Sequence, residues 1–591
     1  MRYQALATDY DGTLAHHGRV SERTLESLKA LLATGRRLIM VTGRELPELL
    51  DIFPQIELFE WVVAENGGLL YRPSTKEETA LAEAPSPQFL KALASKKVEP
   101  ISVGRSIVAT WEPHEAAVLE TIRELGLEWQ VIFNKGAVMV LPAGVNKASG
   151  LTAALKEMEL SPHNVVGVGD AENDHAFLRL CEFSVAVANS LPSVKDTADL
   201  ATSADHGDGV SLLIEALIKD DLASYEHKLT RHHLVLGESG DQPFTIPSHG
   251  PCVLICGPSA SGKSTLTTRL VEALEEQQYQ FCLFDPEGDY ENFAGAVAFG
   301  GADAPPSQSE ILQLLANPET NAIVNLTGLK IPDRPPLFLG FLGPLVQMRT
   351  RTGRPHWLIM DEAHHLMPAD WLPPAGVMPQ QLQNVAMITV HPELLAPALL
   401  KRIDTLMIVG AEAEAMLATF CKAANLPTPR VGGVSDLAAE VTDPAYNLQP
   451  GEVLIWSPGS DQAPRKFKAI PGKTERRRHR RKYAEGELPP DRSFFFRGPE
   501  GKLNLRAQNL TIFLQLAEGV DDDTWEYHLR RGHYAQWFQT CVKDEDLAAA
   551  ASQVAAMTNL SPEESRGMIR AAIERDYIVV PGSPLPVPGA S

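Results

Sequence analysis

Short apolar runs recur along this chain, and most of them stop at Asp, Asn, Thr or Gly. The first lies in YQALATDY. Ser21 then suits the cap of a helix carrying Leu25, Leu28, Leu31 and Leu32 on one face, Gly35 suits its end, and RLIMVTGR reads as the next strand. This is a βαβ pattern. WVVAENGG and NVVGVGDAEND add further buried-strand runs, with LTAALKEMEL as an amphipathic helix, so a parallel sheet flanked by helices is expected. Between them, from about 84 to 145, ISVGRSIVATW, AAVLETIRELG and KGAVMVL form a pattern of their own, which predicts a small inserted α/β cap.

The same rhythm resumes beyond Lys219 with VLICGPSASGKST, YQFCLFDPEGDY, NAIVNLTG, WLIMDEAHHL, AMITVHP and DTLMIVG. Each apolar run ends in polar or glycine-rich residues, as strands do when their carboxyl ends build a site. The fold class expected is therefore α/β: two doubly wound parallel-sheet domains followed by a C-terminal helical domain. The boundaries drawn are 1–215 for the first domain with its cap, 220–473 for the second, 474–490 for a basic linker and 491–591 for the mainly helical end. In that last part Leu510, Phe513, Leu514 and Ala517 fall on one helical face, and Asp522 or Asp523 suits the start of a helix containing Trp525 and Leu529.

Composition narrows the picture. A chain of 591 residues is too long for one hydrophobic core and implies about two to four domains. A net charge of -22 argues against nucleic-acid or anionic-membrane binding over the whole surface. The six cysteines form no C-x-x-C pair, so neither a disulfide framework nor a zinc site is indicated. With no signal-like start and no membrane-length apolar span, the reading is a soluble, cytoplasmic protein.

The strand ends of the first domain supply Asp9-Tyr10-Asp11-Gly12-Thr13-Leu14, Thr42-Gly43-Arg44, Asn146-Lys147 and Gly169-Asp170 through Asn173-Asp174. An isolated D-x-D-G reads as an Asx turn. Together these groups match what phosphoryl transfer needs: a carboxylate to attack phosphorus, a second to exchange protons, and a hydroxyl, an ammonium and a divalent cation to neutralise the transferred oxygens. The order D-x-D-G-T-L, T-G-R, Lys, G-D-x-x-N-D resembles the four motifs of the haloacid dehalogenase superfamily. The E-N-G-G element at Glu65 to Gly68, the cap position and VAVANSLPSVKDTAD resemble its Cof-like, type IIB branch of sugar and phosphoglycolate phosphatases. The resemblance covers about the first 215 residues. It implies Asp9 as nucleophile, Asp11 as general acid/base, Thr42 and Lys147 as phosphate ligands, and Mg²⁺ on Asp9, the Asp11 carbonyl and Asp170, with Asp174 supporting the metal shell. Arg44 and, more weakly, Arg105 are candidate substrate contacts, with a surface ion pair as the alternative for Arg44.

In the second domain, Gly257-Pro258-Ser259-Ala260-Ser261-Gly262-Lys263-Ser264-Thr265 matches G-x-x-x-x-G-K-[ST] between a strand-like run and a helix. In that context the loop amides hold phosphates, Lys263 reaches the outer phosphates and Ser264 binds Mg²⁺. Asp361 at the end of HWLIMD suits the Mg²⁺ shell, and Glu362 suits polarisation of water for ATP hydrolysis. The assembly resembles the HerA/FtsK-like branch of P-loop ATPases, although Thr389-Val390-His391 stands where a glutamine is common; His391 reads as a helix-start or packing residue.

Arg476, Arg477, Arg478, Arg480, Arg481 and Lys482 form the one concentrated basic block, read first as a solvated linker. The function expected is a Mg²⁺-dependent phosphomonoesterase acting on a small phosphorylated metabolite, fused to an ATP-hydrolysing domain. A nucleic-acid end-processing phosphatase/ATPase and a nucleotide-responsive regulatory or scaffold protein are the alternatives. Expected partners are the phosphorylated substrate and ATP, with nucleic acid less favoured, a homo-oligomer open, and no membrane.

Overall fold

The computed structural model describes residues 1–577 except 135, 260, 292, 303, 372–381, 430–447, 461, 473–482, 485–487, 489–491, 500, 543 and 558. The basic block therefore lies outside the described residues. The chain divides into two compact units, Met1–Lys473 and Thr474–Ser591.

The first lobe of the larger unit begins with β1 (Ala5–Thr8), β2 (Arg37–Val41), β3 (Trp61–Ala64), β4 (Leu69–Arg72) and β5 (Glu77–Ala80). A cap follows with β6 (Ser102–Val103), β7 (Val108–Trp111), β8 (Trp129–Asn134) and β9 (Ala137–Pro142), after which the chain returns through β10 (Val165–Gly169), β11 (Phe183–Ala186) and β12 (Leu200–Ala201). The main sheet has the order β12-β11-β10-β1-β2-β3-β4-β5, and the cap forms its own sheet, β6-β7-β9-β8. Every residue of β1 and β3 is buried, as expected of strands covered on both faces. The helix Glu22–Ala33 starts where Ser21 accepts the Thr24 amide and buries Leu25, Leu28 and Leu31, as the spacing predicts.

The second lobe carries β13 (Leu234–Ser239), β14 (Gln242–Ile246), β15 (Cys252–Cys256), β16 (Phe281–Asp285), β17 (Val297–Gly300), β18 (Ala322–Asn325), β19 (Trp357–Met360), β20 (Val385–Thr389), β21 (Thr405–Val409), β22 (Glu452–Trp456) and β23 (Arg465–Ala469). They form one sheet of order β14-β13-β23-β22-β21-β15-β20-β19-β16-β18-β17. Separate apolar clusters cover its two faces, one built on Leu254, Phe284 and Met387, the other on Ile255, Leu283 and Ile388. Successive residues of one buried strand feed opposite cores.

Both sheets depart from the purely parallel expectation. In the first, β3-β4-β5 run antiparallel. In the second, β21-β22-β23-β13-β14 do so. For two of these pairs the reason is local: β4 and β5 are joined by a turn too short for a helical crossover, as are β13 and β14, and such pairs close only as hairpins.

The two lobes meet around Glu182, whose side chain is wholly buried. It pairs with Arg2, receives the Tyr279 hydroxyl at 2.8 Å, and lies 2.6 Å from His163 Nδ1. His163 stacks on Tyr279 with centroids 3.8 Å apart and meets the Gln277 carbonyl through Nε2 at 2.7 Å. Burial raises the cost of this carboxylate, but Arg2 and His163 outweigh it and hold Glu182 well below the usual range. His232 completes a group whose ligating atoms all lie within 4.8 Å. Since Arg2, Tyr279 and His163 already serve both Glu182 oxygens, the group reads as an interlobe ion-pair network. Arg354, also buried, reaches from the second lobe to the Glu159 carbonyl of the first at 2.7 Å.

The smaller unit is mainly helical, with β24 (Phe494–Phe496) and β25 (Leu505–Ala507) as an antiparallel pair. Leu510, Phe513, Leu514 and Ala517 are buried in one aromatic core with Trp525, Tyr534 and Trp537. The helix Asp522–Arg530 is capped by Asp521, one residue before the expected start: its side chain accepts the Thr524 amide at 2.8 Å.

Replacing Glu182 by Ala strands the Arg2 guanidinium, the His163 ring and a phenol. Equilibrium unfolding should show a loss of about 3–5 kcal/mol, with Arg354→Ala destabilising independently.

Candidate functional site

Asp9 sits one residue past β1, its amide donating to the Val168 carbonyl of β10 at 3.0 Å. That contact places the Asp9 carboxylate beside the end of the neighbouring strand, where Asp170 and Asp174 follow. All three carboxylates are buried, and one oxygen of each lies within 4.8 Å of the others. Lys147 Nζ donates to Asp9 Oδ1 at 2.5 Å and also to Asp174 Oδ1. Asp174 Oδ2 accepts the amides of Asp170 and Ala171 at 2.8 and 2.9 Å, so this residue braces the strand-end turn. Thr13, not singled out in the sequence, donates to Asp170 Oδ1 at 3.1 Å. Its only sequence signal is its place in D-G-T-L.

Lys147 opens the helix Lys147–Glu157, whose Asn146 cap accepts the amides of Ala148 and Ser149. A cation is unfavourable at the positive end of a helix, and burial lowers its pKa further; Asp174 and Asp9 outweigh both and raise it. Burial pushes the Asp9 carboxyl well above the usual range, with Asp174 and Asp170 adding to the effect and Lys147 opposing it. The carboxylates of Asp9, Asp170 and Asp174 could together hold a divalent cation, whose charge would oppose the rise at Asp9.

Thr42, buried at the end of β2, accepts the Arg44 amide on its hydroxyl at 3.2 Å. The Arg44 guanidinium grips both oxygens of Asp11, at 2.5 and 2.8 Å, and also touches Glu48. The surface-pair alternative for Arg44 thus involves the candidate acid/base itself. The structure does not bring the Arg105 side chain to the cluster: it is 66% exposed and pairs with Glu78.

Glu65 was quoted in the sequence only as part of E-N-G-G. It is buried at φ 51° and its carboxylate accepts the cap amides of Arg105 and Ser106 at 2.9 and 2.8 Å. Two residues on, Gly67 at φ 104° packs so close to the chain that a Cβ would lie 2.0 Å from the Asn146 carbonyl oxygen. This turn therefore fixes both the cap and the start of the Lys147 helix.

A second group of motif residues lies at the strand ends of the other lobe. Gly257 follows β15 so close to the Val409 carbonyl that a Cβ would approach it to 2.2 Å. Gly262, at φ 106°, is the cap of the helix Lys263–Glu276. Lys263 Nζ donates back to the Gly257 and Pro258 carbonyls at 3.0 and 2.9 Å, curling over the loop. Ser259 is exposed, while Ser261, Ser264 and Thr265 are half-buried along the same turn; Ala260 lies outside the described residues. Asp361 is buried just past β19, and its Oδ1 accepts the Glu362 amide at 3.1 Å. Glu362 adopts φ 40°, ψ 51°. One strand, β20, separates β19 from β15. His391 caps the short turn Pro392–Leu394 and pairs with Glu393 at 3.1 Å, a helix-start role.

No described helix is long and apolar enough to cross a membrane.

The model of the haloacid dehalogenase-like hydrolase family matches residues 6–113 and 119–214. Phosphoglycolate phosphatase of Methanothermobacter thermautotrophicus is 32% identical over 222 residues, which span 35% of this chain and 96% of that relative. Phosphoglycolate phosphatase 2 of Saccharolobus solfataricus is 28% identical over 223 residues, spanning 36% and 91%. A solved haloacid dehalogenase-like hydrolase from Bacteroides thetaiotaomicron is 19% identical, with a TM-score of 0.32, over 36% of this chain and 99% of its own. Through its first lobe, with the Asp9, Lys147, Asp170 and Asp174 cluster, the chain belongs to the haloacid dehalogenase-like hydrolase family.

Proposed function

We propose that the first lobe hydrolyses a small phosphomonoester, with phosphoglycolate the leading substrate, through a phosphoaspartate on Asp9. The observation that carries this reading is the buried Asp9–Lys147–Asp174 arrangement with Asp170 alongside, at the end of the strand carrying D-x-D-G. The named relatives support the choice of substrate.

In the first step an Asp9 oxygen bonds to phosphorus as the ester oxygen leaves, taking a proton from Asp11. In the second, Asp11 takes a proton from water, whose oxygen attacks the phosphoaspartate and releases phosphate and the free Asp9 carboxylate. Lys147 orients Asp9, and the Thr42 hydroxyl donates to a phosphoryl oxygen. Arg44 must release Asp11 for the proton transfers, and a phosphoryl oxygen is the natural acceptor for its freed guanidinium. Asp9, Asp170 and the Asp11 carbonyl would hold Mg²⁺, with Asp174 bracing the turn. When bound, the cation neutralises charge on the phosphoryl oxygens.

A second reading concerns the other lobe: ATP hydrolysis in the manner of a HerA/FtsK-like P-loop enzyme. The glycine-lined turn leading into the Lys263 helix, and the buried Asp361 with Glu362 beside it one strand away, support it. Phosphate oxygens would draw Lys263 off the loop carbonyls. Ser264 and Asp361 would hold Mg²⁺, and Glu362 would orient water.

In a screen of phosphoglycolate, sugar phosphates and nucleotides, Asp9→Asn protein should be folded and inactive. Asp11→Asn should lose about 10²–10⁴-fold in kcat, and EDTA should abolish turnover that Mg²⁺ restores. Turnover by folded Asp9→Asn protein would reject the assignment. Lys263→Ala should lose ATP hydrolysis but keep phosphatase turnover, and Glu362→Gln should bind ATP but cleave it slowly. Loss of ATP-independent phosphatase activity in folded Lys263→Ala protein would overturn the separation of the two sites.

A further inference from the structure

We propose that His364 is a positioning residue of the second site, holding the Glu362 carboxylate in the orientation from which it acts on water. The proposal rests on the ATP-hydrolysis reading of that site and goes beyond it, because the sequence assigns His364 no role.

Glu362 occupies the left-handed region, which a non-glycine residue holds only when its surroundings impose it. Its amide is tied to Asp361, which fixes the backbone but not the far end of the side chain. That end faces His364: Nδ1 lies 3.5 Å from Glu362 Oε2. The same nitrogen lies 2.9 Å from Thr389 Oγ1, at the end of β20. Thr389 is in turn fixed, since its hydroxyl oxygen accepts the His391 amide at 3.0 Å. His364 thus bridges the ends of β19 and β20, the latter being the strand beside β15.

Proton placement follows from these neighbours. A lone pair on Nδ1 would face a carboxylate oxygen, so the proton belongs on Nδ1, bonding to Thr389 with the Glu362 oxygen on its flank. Burial, with His365, His391 and Lys263 nearby, pushes His364 down to about 4, so the ring is a neutral donor and not a second cation competing with Lys263. The ring is also wedged by packing, 4.2 Å from His365 and 5.8 Å from His391 between centroids, while His365 is 3.3 Å from Arg334. A general base oriented by a third group is the usual architecture of activated water and nucleophiles.

Two substitutions separate positioning from packing. His364→Phe keeps a ring in the wedge and removes the donor; His364→Asn returns an N–H near the Nδ1 position on a smaller side chain. Steady-state ATP hydrolysis and binding of a fluorescent ATP analogue are measured on the full chain, with phosphatase turnover of the first lobe as the control for folding. His364→Phe should bind the analogue like wild type and lose about ten- to a hundredfold in kcat with KM little changed. His364→Asn should recover most of that loss, and Thr389→Val should fall between. Wild-type kcat in His364→Phe overturns the proposal, as does an equal fall in both His364 variants, which marks a packing role. A wild-type protein that binds the analogue without hydrolysing ATP, or a Lys263→Ala protein that hydrolyses it normally, defeats the underlying ATPase reading and the proposal with it.

Discussion

The Glu182 carboxylate is the point on which the larger unit turns. It belongs to the first lobe, yet Tyr279 and, through His163, the Gln277 carbonyl of the second lobe are organised around it. Buried charge of this kind costs desolvation on every member and is tolerated only when the set is complete. The network therefore specifies one docking of the lobes more strongly than an apolar seam of equal area would. A greasy contact tolerates sliding; a carboxylate with directional donors does not. Both candidate sites lie within that one compact unit.

What could be read from the sequence was whatever a local pattern expresses. Strand ends carry their chemistry within a few residues of an apolar run, so Asp9, Thr42, Asp170 and Asp361 stood out, and the structure puts Asp9 and Asp170 in one cluster. The Leu25–Leu28–Leu31 stripe and its Ser21 cap follow from helical spacing alone. Other features depend on pairings between distant residues, which no local pattern encodes. Arg2 and Glu182 are far apart in sequence, and neither lies in a motif. Likewise β21 and β22 are apolar runs that look like any strand, and only their pairing, between segments far apart in sequence, makes them antiparallel. Arg44 shows the boundary between the two cases: its type and place suggest a substrate contact or a surface ion pair, and that it pairs with Asp11 is a tertiary fact.

The two sites handle charge differently. The first gathers three buried carboxylates beside the Lys147 ammonium. In the second, the ammonium of Lys263 rests on its own loop's carbonyls.

The Glu65 turn has a mechanical consequence for the cap. One buried side chain holds the amides of both Arg105 and Ser106, and Gly67 abuts the carbonyl of Asn146, while Ser102 reaches Glu45 and Arg105 reaches Glu78, so the cap is tied to the core at several points. A body held at several separated points cannot rotate about any one of them without breaking a contact at another, so the Glu65 turn sets the position of the cap only together with those other ties.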